Sequence, residues 1–228
     1  MSSKLVIALD TDINKAKKII DAALKFDFKI FKIGHLLFDT HPEIINYIAK
    51  KNANVLLDLK FHDIPSVIAK AVKEILTKYK IWGFTVHTLG GKNMLEEIRK
   101  LTDDLSQKPL IFAVTILTSL EEKDLKLFGF KTNIKNTVLN LAKLAKASKA
   151  DGVVCSPNEV SLIKNVCGKK FLTLVPGVTI QDNNPDQKRA DSIEKVIHYG
   201  ADYIVVGRSI YESKEILTTL KHLKNFLN

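Results

Sequence analysis

Short apolar runs alternate with longer amphipathic stretches eight times along this sequence, and no other feature restricts its possible folds as tightly. The runs cover residues 5–9, 30–33, 55–59, 84–86, 110–116, 152–155, 171–175 and 203–206. None shows the apolar–polar alternation of a strand with one face in water, so each reads as a strand buried on both faces. The stretches between them carry apolar residues at helical spacing over 13–25, 42–51, 66–79, 94–105, 134–148, 158–165, 193–199 and 212–226. Asp12, Thr40 with Pro42 and Glu43, and Ser156-Pro157-Asn158-Glu159 supply helix starts, and Gly200 supplies a stop before the last strand.

Eight strand–helix units without a linker or a change of composition predict one α/β domain over residues 1–228, closed as a (β/α)8 barrel. An open doubly wound sheet is the alternative. The first strand is not followed by G-x-G-x-x-G, which weakens its dinucleotide-binding form. At 228 residues and 46% hydrophobic the chain can build one large core. No apolar run approaches the ~18 to 20 residues of a membrane span, and Met1-Ser2-Ser3-Lys4 leads into a strand instead of a signal peptide. A soluble, cytoplasmic protein with no membrane partner is therefore expected. Cys155 and Cys167 form no CxxC and no Cys/His cluster, so neither a disulfide framework nor structural zinc is indicated.

The net charge of +10 raises the question of nucleic acid, but the lysines are spread over helix faces, as at Lys15, Lys17, Lys18 and Lys25, then Lys143, Lys146 and Lys149. Arginine occurs only at Arg99, Arg189 and Arg208. The excess reads as solvated surface, and nucleic-acid binding is not expected.

In a barrel the C-terminal strand ends converge on one mouth. Here they are Asp10, Lys32 with Gly34, Asp58 with Lys60, His87, Thr115 to Thr118, Ser156, Pro176-Gly177 and Gly207-Arg208-Ser209. Asp58 and Lys60 alone read equally as a structural ion pair on one strand face, with Leu57 and Leu59 on the other. Four charges, Asp10, Lys32, Asp58 and Lys60, from three consecutive strands make an alternating acid–base array and favour catalysis. Asp63 adds a charge just beyond the strand. Gly207, Arg208 and the helix start that follows suit a phosphate, with Gly177 on the seventh strand end, so a phosphorylated substrate is expected. His62 and His87 read as supporting structure. The Cys, His and carboxylate spacing suits no metal and no Ser lies in a nucleophile elbow, so a reaction without metal or organic cofactor is expected. The long connections 118–133, with an amphipathic piece at 120–127, and 176–190 read as lids.

Asp58-Leu59-Lys60-Phe61-His62-Asp63-Ile64-Pro65 resembles the DxKxxD signature of the bacterial orotidine 5′-monophosphate decarboxylases. Ala8-Leu9-Asp10, Phe31-Lys32-Ile33-Gly34, Val86-His87 with Gly90-Gly91, Leu117-Thr118-Ser119, Val175-Pro176-Gly177-Val178, Asp186-Gln187 and Val206-Gly207-Arg208-Ser209 follow in that family's order. DxKxxD alone is shared with sugar-phosphate decarboxylases and synthases of the same superfamily, which typically carry an acidic residue where Lys32 stands and use magnesium. The resemblance implies a dimeric TIM barrel that converts orotidine 5′-monophosphate to uridine 5′-monophosphate without a cofactor. It makes Lys60 the proton donor, sets Asp58 against the departing carboxylate, and lets Lys32 bridge the array and the ribose. It places Asp10 on ribose hydroxyls, Ile64 beside the substrate, Thr118 at the pyrimidine edge, and Gln187, Gly207 and Arg208 at the phosphate. Asp63 is implied to reach the neighbouring subunit's site. Two positions depart from the family's pattern: Thr179 stands where many members have an Arg near the phosphate, and Ser66-Val67 replaces Asn-Thr.

Overall fold

A computed structural model describes residues 4–180 and 191–227. Eight parallel strands close into a barrel in chain order: β1 (Lys4–Ala8), β2 (Ile30–Ile33), β3 (Asn54–Phe61), β4 (Gly83–His87), β5 (Leu110–Val114), β6 (Gly152–Val154), β7 (Leu172–Val175) and β8 (Tyr203–Val206). The ring is shut by β1 against β8, with Lys4 opposite Tyr203 and Ile7 opposite Val206. The open doubly wound alternative is thereby excluded.

Alternate residues of each strand explain why the runs look uniformly apolar. Val6, Ala8, Ile30, Leu56, Phe112, Leu174 and Val205 fill the barrel, while Ile7, Phe31, Val55, Leu57, Phe84, Val86 and Ile204 belong to the core shared with the helices. Trp82, Phe112 and Tyr203 meet edge-on or tilted, with centroids 5.1 to 6.0 Å apart, and fill the barrel near its N-terminal end. The inward series then changes character along β1 to β3: Val6 and Ala8 lead to Asp10, Ile30 to Lys32, and Leu56 to Asp58. A dry base and a charged mouth follow from one period of two.

Two of the expected helices are preceded by a short, unexpected one. The helix expected at 42–51 is Ile44–Lys50, and an additional α-helix, His35–Thr40, stands before it. Thr40 opens neither, because its hydroxyl donates to the Leu36 carbonyl one turn back, and Pro42 separates the two. The helix expected at 212–226 is Ile216–Leu227, and a single turn at Arg208–Tyr211 stands before it. Asp12 does cap Ile13–Leu24, accepting the Asn14 and Lys15 N–H groups at 3.0 Å. Glu159 accepts the Ser156 N–H at 2.7 Å. Gly200, at φ 85°, ends Ile193–His198.

One device recurs at the N-terminal face. Asp151, just before β6, accepts the Ile111 N–H of β5 at 2.7 Å and pairs with Arg99. Asp202, just before β8, accepts the Thr173 N–H of β7 at 2.7 Å and pairs with Lys164. Each carboxylate ties a strand's entry to the strand before it and neutralises a cation on the helix preceding that strand. Lys164 and Asp202 are only 11% and 18% exposed, so removing the carboxylate leaves a largely buried ammonium and an unpaired N–H. Asp202→Ala should cost about 3 kcal/mol and lower the thermal midpoint by roughly 6 to 12 °C. Lys29→Ala, which breaks an exposed pair with Asp27, should leave it unchanged. Equal midpoints for the two variants in calorimetry would show that the recurring clamp does not stabilise the barrel.

Candidate active site

A cavity of about 600 Å³ opens at the C-terminal mouth, lined among others by Asp10, Lys32, Asp58 and Lys60 together with Thr118, Gly207 and Arg208. The four expected charges form one continuous chain inside it. Lys32 Nζ lies 3.0 Å from Asp10 Oδ1 and 3.3 Å from Asp58 Oδ2, and Lys60 Nζ lies 3.0 Å from Asp58 Oδ1. The inner members, Lys32 and Asp58, are 12% and 14% exposed, whereas Asp10 and Lys60, at 43% and 40%, are open to the cavity.

Burial by itself would raise the Asp58 carboxyl; the attraction of Lys32 and Lys60, with hydrogen bonds from Lys60 and Thr85, overturns this and holds it below the usual carboxylate range. Burial would likewise discharge Lys32, yet Asp58 and Asp10 hold its ammonium above its ordinary value. Each inner charge exists because of the other, so the site keeps both ionised away from water.

Asp58 and Lys60 both reach the mouth, but not through a regular pleat. Pairing of β3 with β4 runs from Leu57 opposite Phe84 to Phe61 opposite Val86, so residues 58–60 face Thr85 alone. Lys60 takes up the excess with a left-handed backbone, φ 48°, which costs a non-glycine residue on the order of 1 to 3 kcal/mol. Thr85, 1% exposed, occupies the gap. Its hydroxyl donates to Asp58 Oδ1 and accepts the Lys60 N–H, both at 2.9 Å. Sequence reasoning passed over this residue. Its one signal was a polar side chain between Phe84 and Val86, where a buried hydroxyl requires a partner.

The other expected residues divide. Thr118, Gly207 and Arg208 line the cavity. A Cβ on Gly207 would meet Ala8 Cβ at 3.1 Å and Tyr211 Cε1 at 3.3 Å; one on Gly34 would meet Asp10 Oδ1 at 3.1 Å. Both glycines keep side chains off the site. The helix expected after Gly207 is the one turn Arg208–Tyr211, so its dipole is small. Thr179, at the position of the departure from the family's pattern, also lines the cavity. Asp63 and Ile64 do not enter the cavity of their own chain: both are exposed, and Asp63 accepts the Ile64 N–H at 2.6 Å. Gln187 lies outside the described residues. Thr115 is buried and donates to the Val154 carbonyl, a structural role. The 118–133 connection contains the helix Glu122–Leu127 and exposes Leu127 and Phe128. Val178–Thr179 forms a short parallel pair with Asp191–Ser192. Among the described residues no group of three or more His, Cys, Asp or Glu is placed to hold a metal, and no helix is long and apolar enough to cross a membrane.

The sequence model of the orotidine 5′-phosphate decarboxylase / HUMPS family matches residues 3–223. The orotidine 5′-phosphate decarboxylase of Carboxydothermus hydrogenoformans is 39% identical over 98% of this chain and 96% of that protein. Its counterpart in Saccharophagus degradans is 38% identical over 96% and 93%. Among solved structures, orotidine 5′-phosphate decarboxylase from Lactobacillus acidophilus superposes with a TM-score of 0.86 at 30% identity, covering 99% of both chains. Orotidine 5′-monophosphate decarboxylase from Methanocaldococcus jannaschii, complexed with inhibitor BMP, gives 0.80 at 26% identity over 100% of both.

His62 and His87 stack behind Lys60 with centroids 5.2 Å apart. Burial, then the neighbouring His62 and Lys60, push His87 down to about 4 from 6.5. Between those values the unfolded chain binds a proton that the folded chain refuses, so His87 makes stability fall as pH drops from 6.5 to about 4. His87→Asn should give a shallower loss of stability over that range, read from urea unfolding midpoints at several pH values. An unchanged slope would mean that His87 is protonated in the folded chain.

Proposed function

The chain belongs to the orotidine 5′-phosphate decarboxylase / HUMPS family, and we propose that it is a carboxy-lyase converting orotidine 5′-monophosphate to uridine 5′-monophosphate and carbon dioxide, the last step of pyrimidine nucleotide synthesis. The observation that carries this reading is the unbroken Asp10–Lys32–Asp58–Lys60 chain in the cavity that Gly207 and Arg208 also line. The charge chain suits the reacting end of the substrate and the glycine–arginine pair its phosphate.

In this reading the phosphate lies toward Gln187, Gly207 and Arg208, the ribose between Asp10 and Lys32, and the pyrimidine between Thr118 and Lys60. Breaking the carbon–carbon bond leaves its electron pair on the ring carbon as carbon dioxide departs. The Lys60 ammonium stabilises that charge as it forms and then gives the carbon a proton. Asp58 faces the departing carboxylate. Two unit charges ~4 Å apart repel by on the order of 4 kcal/mol at an effective dielectric of ~20, and the repulsion vanishes when the leaving group becomes neutral. Asp58 cannot evade it by taking up a proton near neutrality, because Lys32 and Lys60 hold its carboxyl low. Phosphate binding, remote from the reacting carbon, supplies energy for closing the 118–133 connection over the site and orienting the ring. Side chains alone carry these steps. A free nucleotide substrate supports a cytoplasmic location in the same reading.

The same reading includes a homodimer in which Asp63 serves the partner's site. Its support is that Asp63 stands outside the cavity of its own chain, and that Leu36, Ile64, Val67 and Leu89, 44 to 66% exposed, sit on the connections after β2, β3 and β4 at the same rim.

Purified protein should turn over orotidine 5′-monophosphate, followed by the pyrimidine absorbance change, and Lys60→Ala should be slower by about 10⁴-fold or more. A folded wild-type sample without turnover overturns the assignment. Mixed and reassembled Lys60→Ala and Asp63→Ala chains should regain partial activity, since one hybrid site then holds both native residues. Hybrids as inactive as either parent would mean that Asp63 acts within its own chain.

A further inference from the structure

Where β3 carries three residues, Asp58, Leu59 and Lys60, β4 offers only Thr85. In a regular parallel ladder the Lys60 N–H would find a backbone carbonyl; here it finds the Thr85 hydroxyl at 2.9 Å. That hydroxyl spends its own hydrogen on Asp58 Oδ1, also at 2.9 Å. One buried side chain therefore fixes the backbone that aims Lys60 and the carboxylate that Lys60 meets at 3.0 Å. The left-handed Lys60 conformation needs such a partner, because strained backbone persists only where its surroundings over-determine it. Thr85 does not line the cavity and stands behind Asp58, out of contact with anything bound there.

We propose that Thr85 is a positioning residue for the decarboxylation: its hydroxyl holds the bulged Asp58–Lys60 segment in the geometry that sets the Lys60 ammonium against the reacting carbon. The proposal rests on the assignment of Lys60 as proton donor. It separates the hydroxyl from the methyl group of the same side chain, since the hydroxyl makes both hydrogen bonds to the bulge, and it separates turnover from binding, since Thr85 does not line the cavity.

The test compares Thr85→Ser with Thr85→Ala, which both lack the methyl and differ in the hydroxyl, alongside the near-isosteric Thr85→Val. Thr85→Ala and Thr85→Val should lower kcat by roughly 10- to 100-fold, with KM and the affinity for uridine 5′-monophosphate within about threefold of wild type. Thr85→Ser should stay within a few-fold of wild type in all three. Independently of activity, the Lys60 amide should exchange with deuterium roughly tenfold faster in Thr85→Ala than in Thr85→Ser. If Thr85→Val does not fold, the Ser–Ala pair decides alone. Wild-type kcat in Thr85→Ala, or equal impairment of the Ser and Ala variants, overturns the proposal. Absence of turnover in the wild type overturns the assigned reaction, and the amide exchange then still decides whether the hydroxyl holds the bulge.

Discussion

The contact on which the mouth of this barrel depends is that of the Asp58 carboxylate with two ammonium groups. Taken alone, either Lys32 or Asp58 would be driven toward its neutral form by the surrounding protein. Together they remain ionised, with Lys32 on one carboxylate oxygen and Lys60 on the other. Such an arrangement is a poor device for stability, since a well-packed apolar set of similar volume would often serve as well or better. Its cost makes sense when an anionic substrate is the missing participant. The array holds two positive and two negative charges; in the proposed reaction a substrate carboxylate arriving beside Asp58 unbalances it, and the negative charge left on the ring carbon when carbon dioxide departs is met by the Lys60 ammonium.

The rest of the fold can be read as support for those contacts. The inward faces of β1 to β3 are apolar until their last positions, so the charges stand on a dry, close-packed floor and cannot sink into it. Gly34 keeps a Cβ away from Asp10, and Gly207 opens the rim beside Ala8. The carboxylate clamps at Asp151 and Asp202 lie at the other end of the strands, where they stabilise the barrel without entering the cavity. Stability and chemistry thus occupy opposite ends of the same strands.

The barrel was legible in the sequence because hydrophobic periodicity reports on burial, and eight doubly buried strands leave few ways to satisfy it. The charge array was legible for the related reason that Asp10, Lys32 and Asp58 interrupt apolar series at their ends. What escaped depended on pairing between segments. Nothing local to 58–60 announces that these residues will oppose a single residue of β4, so neither the left-handed Lys60 nor the role of Thr85 was readable from one strand. The short helix His35–Thr40 escaped because Thr40 has the chemistry of a helix start, yet its hydroxyl bonds back to Leu36 within the helix it ends. Asp63 was singled out as a charge beyond the strand, and it lies outside its own cavity.

The closure of β1 on β8 has a consequence for how the protein comes into being. Asp10 follows the first strand and Gly207 with Arg208 follow the last, so the two walls of the cavity meet only when Lys4 finds Tyr203. That is a contact of nearly maximal sequence separation, the kind that is slow to form and late to be rewarded. During synthesis the charged strands emerge first and wait, unable to form the complete cavity until almost the whole chain has been made. A chain that stops short of its last strand carries the charges of β1 to β3 but lacks the Gly207 and Arg208 wall and leaves an open sheet edge, which makes barrel closure a checkpoint between polymer and enzyme.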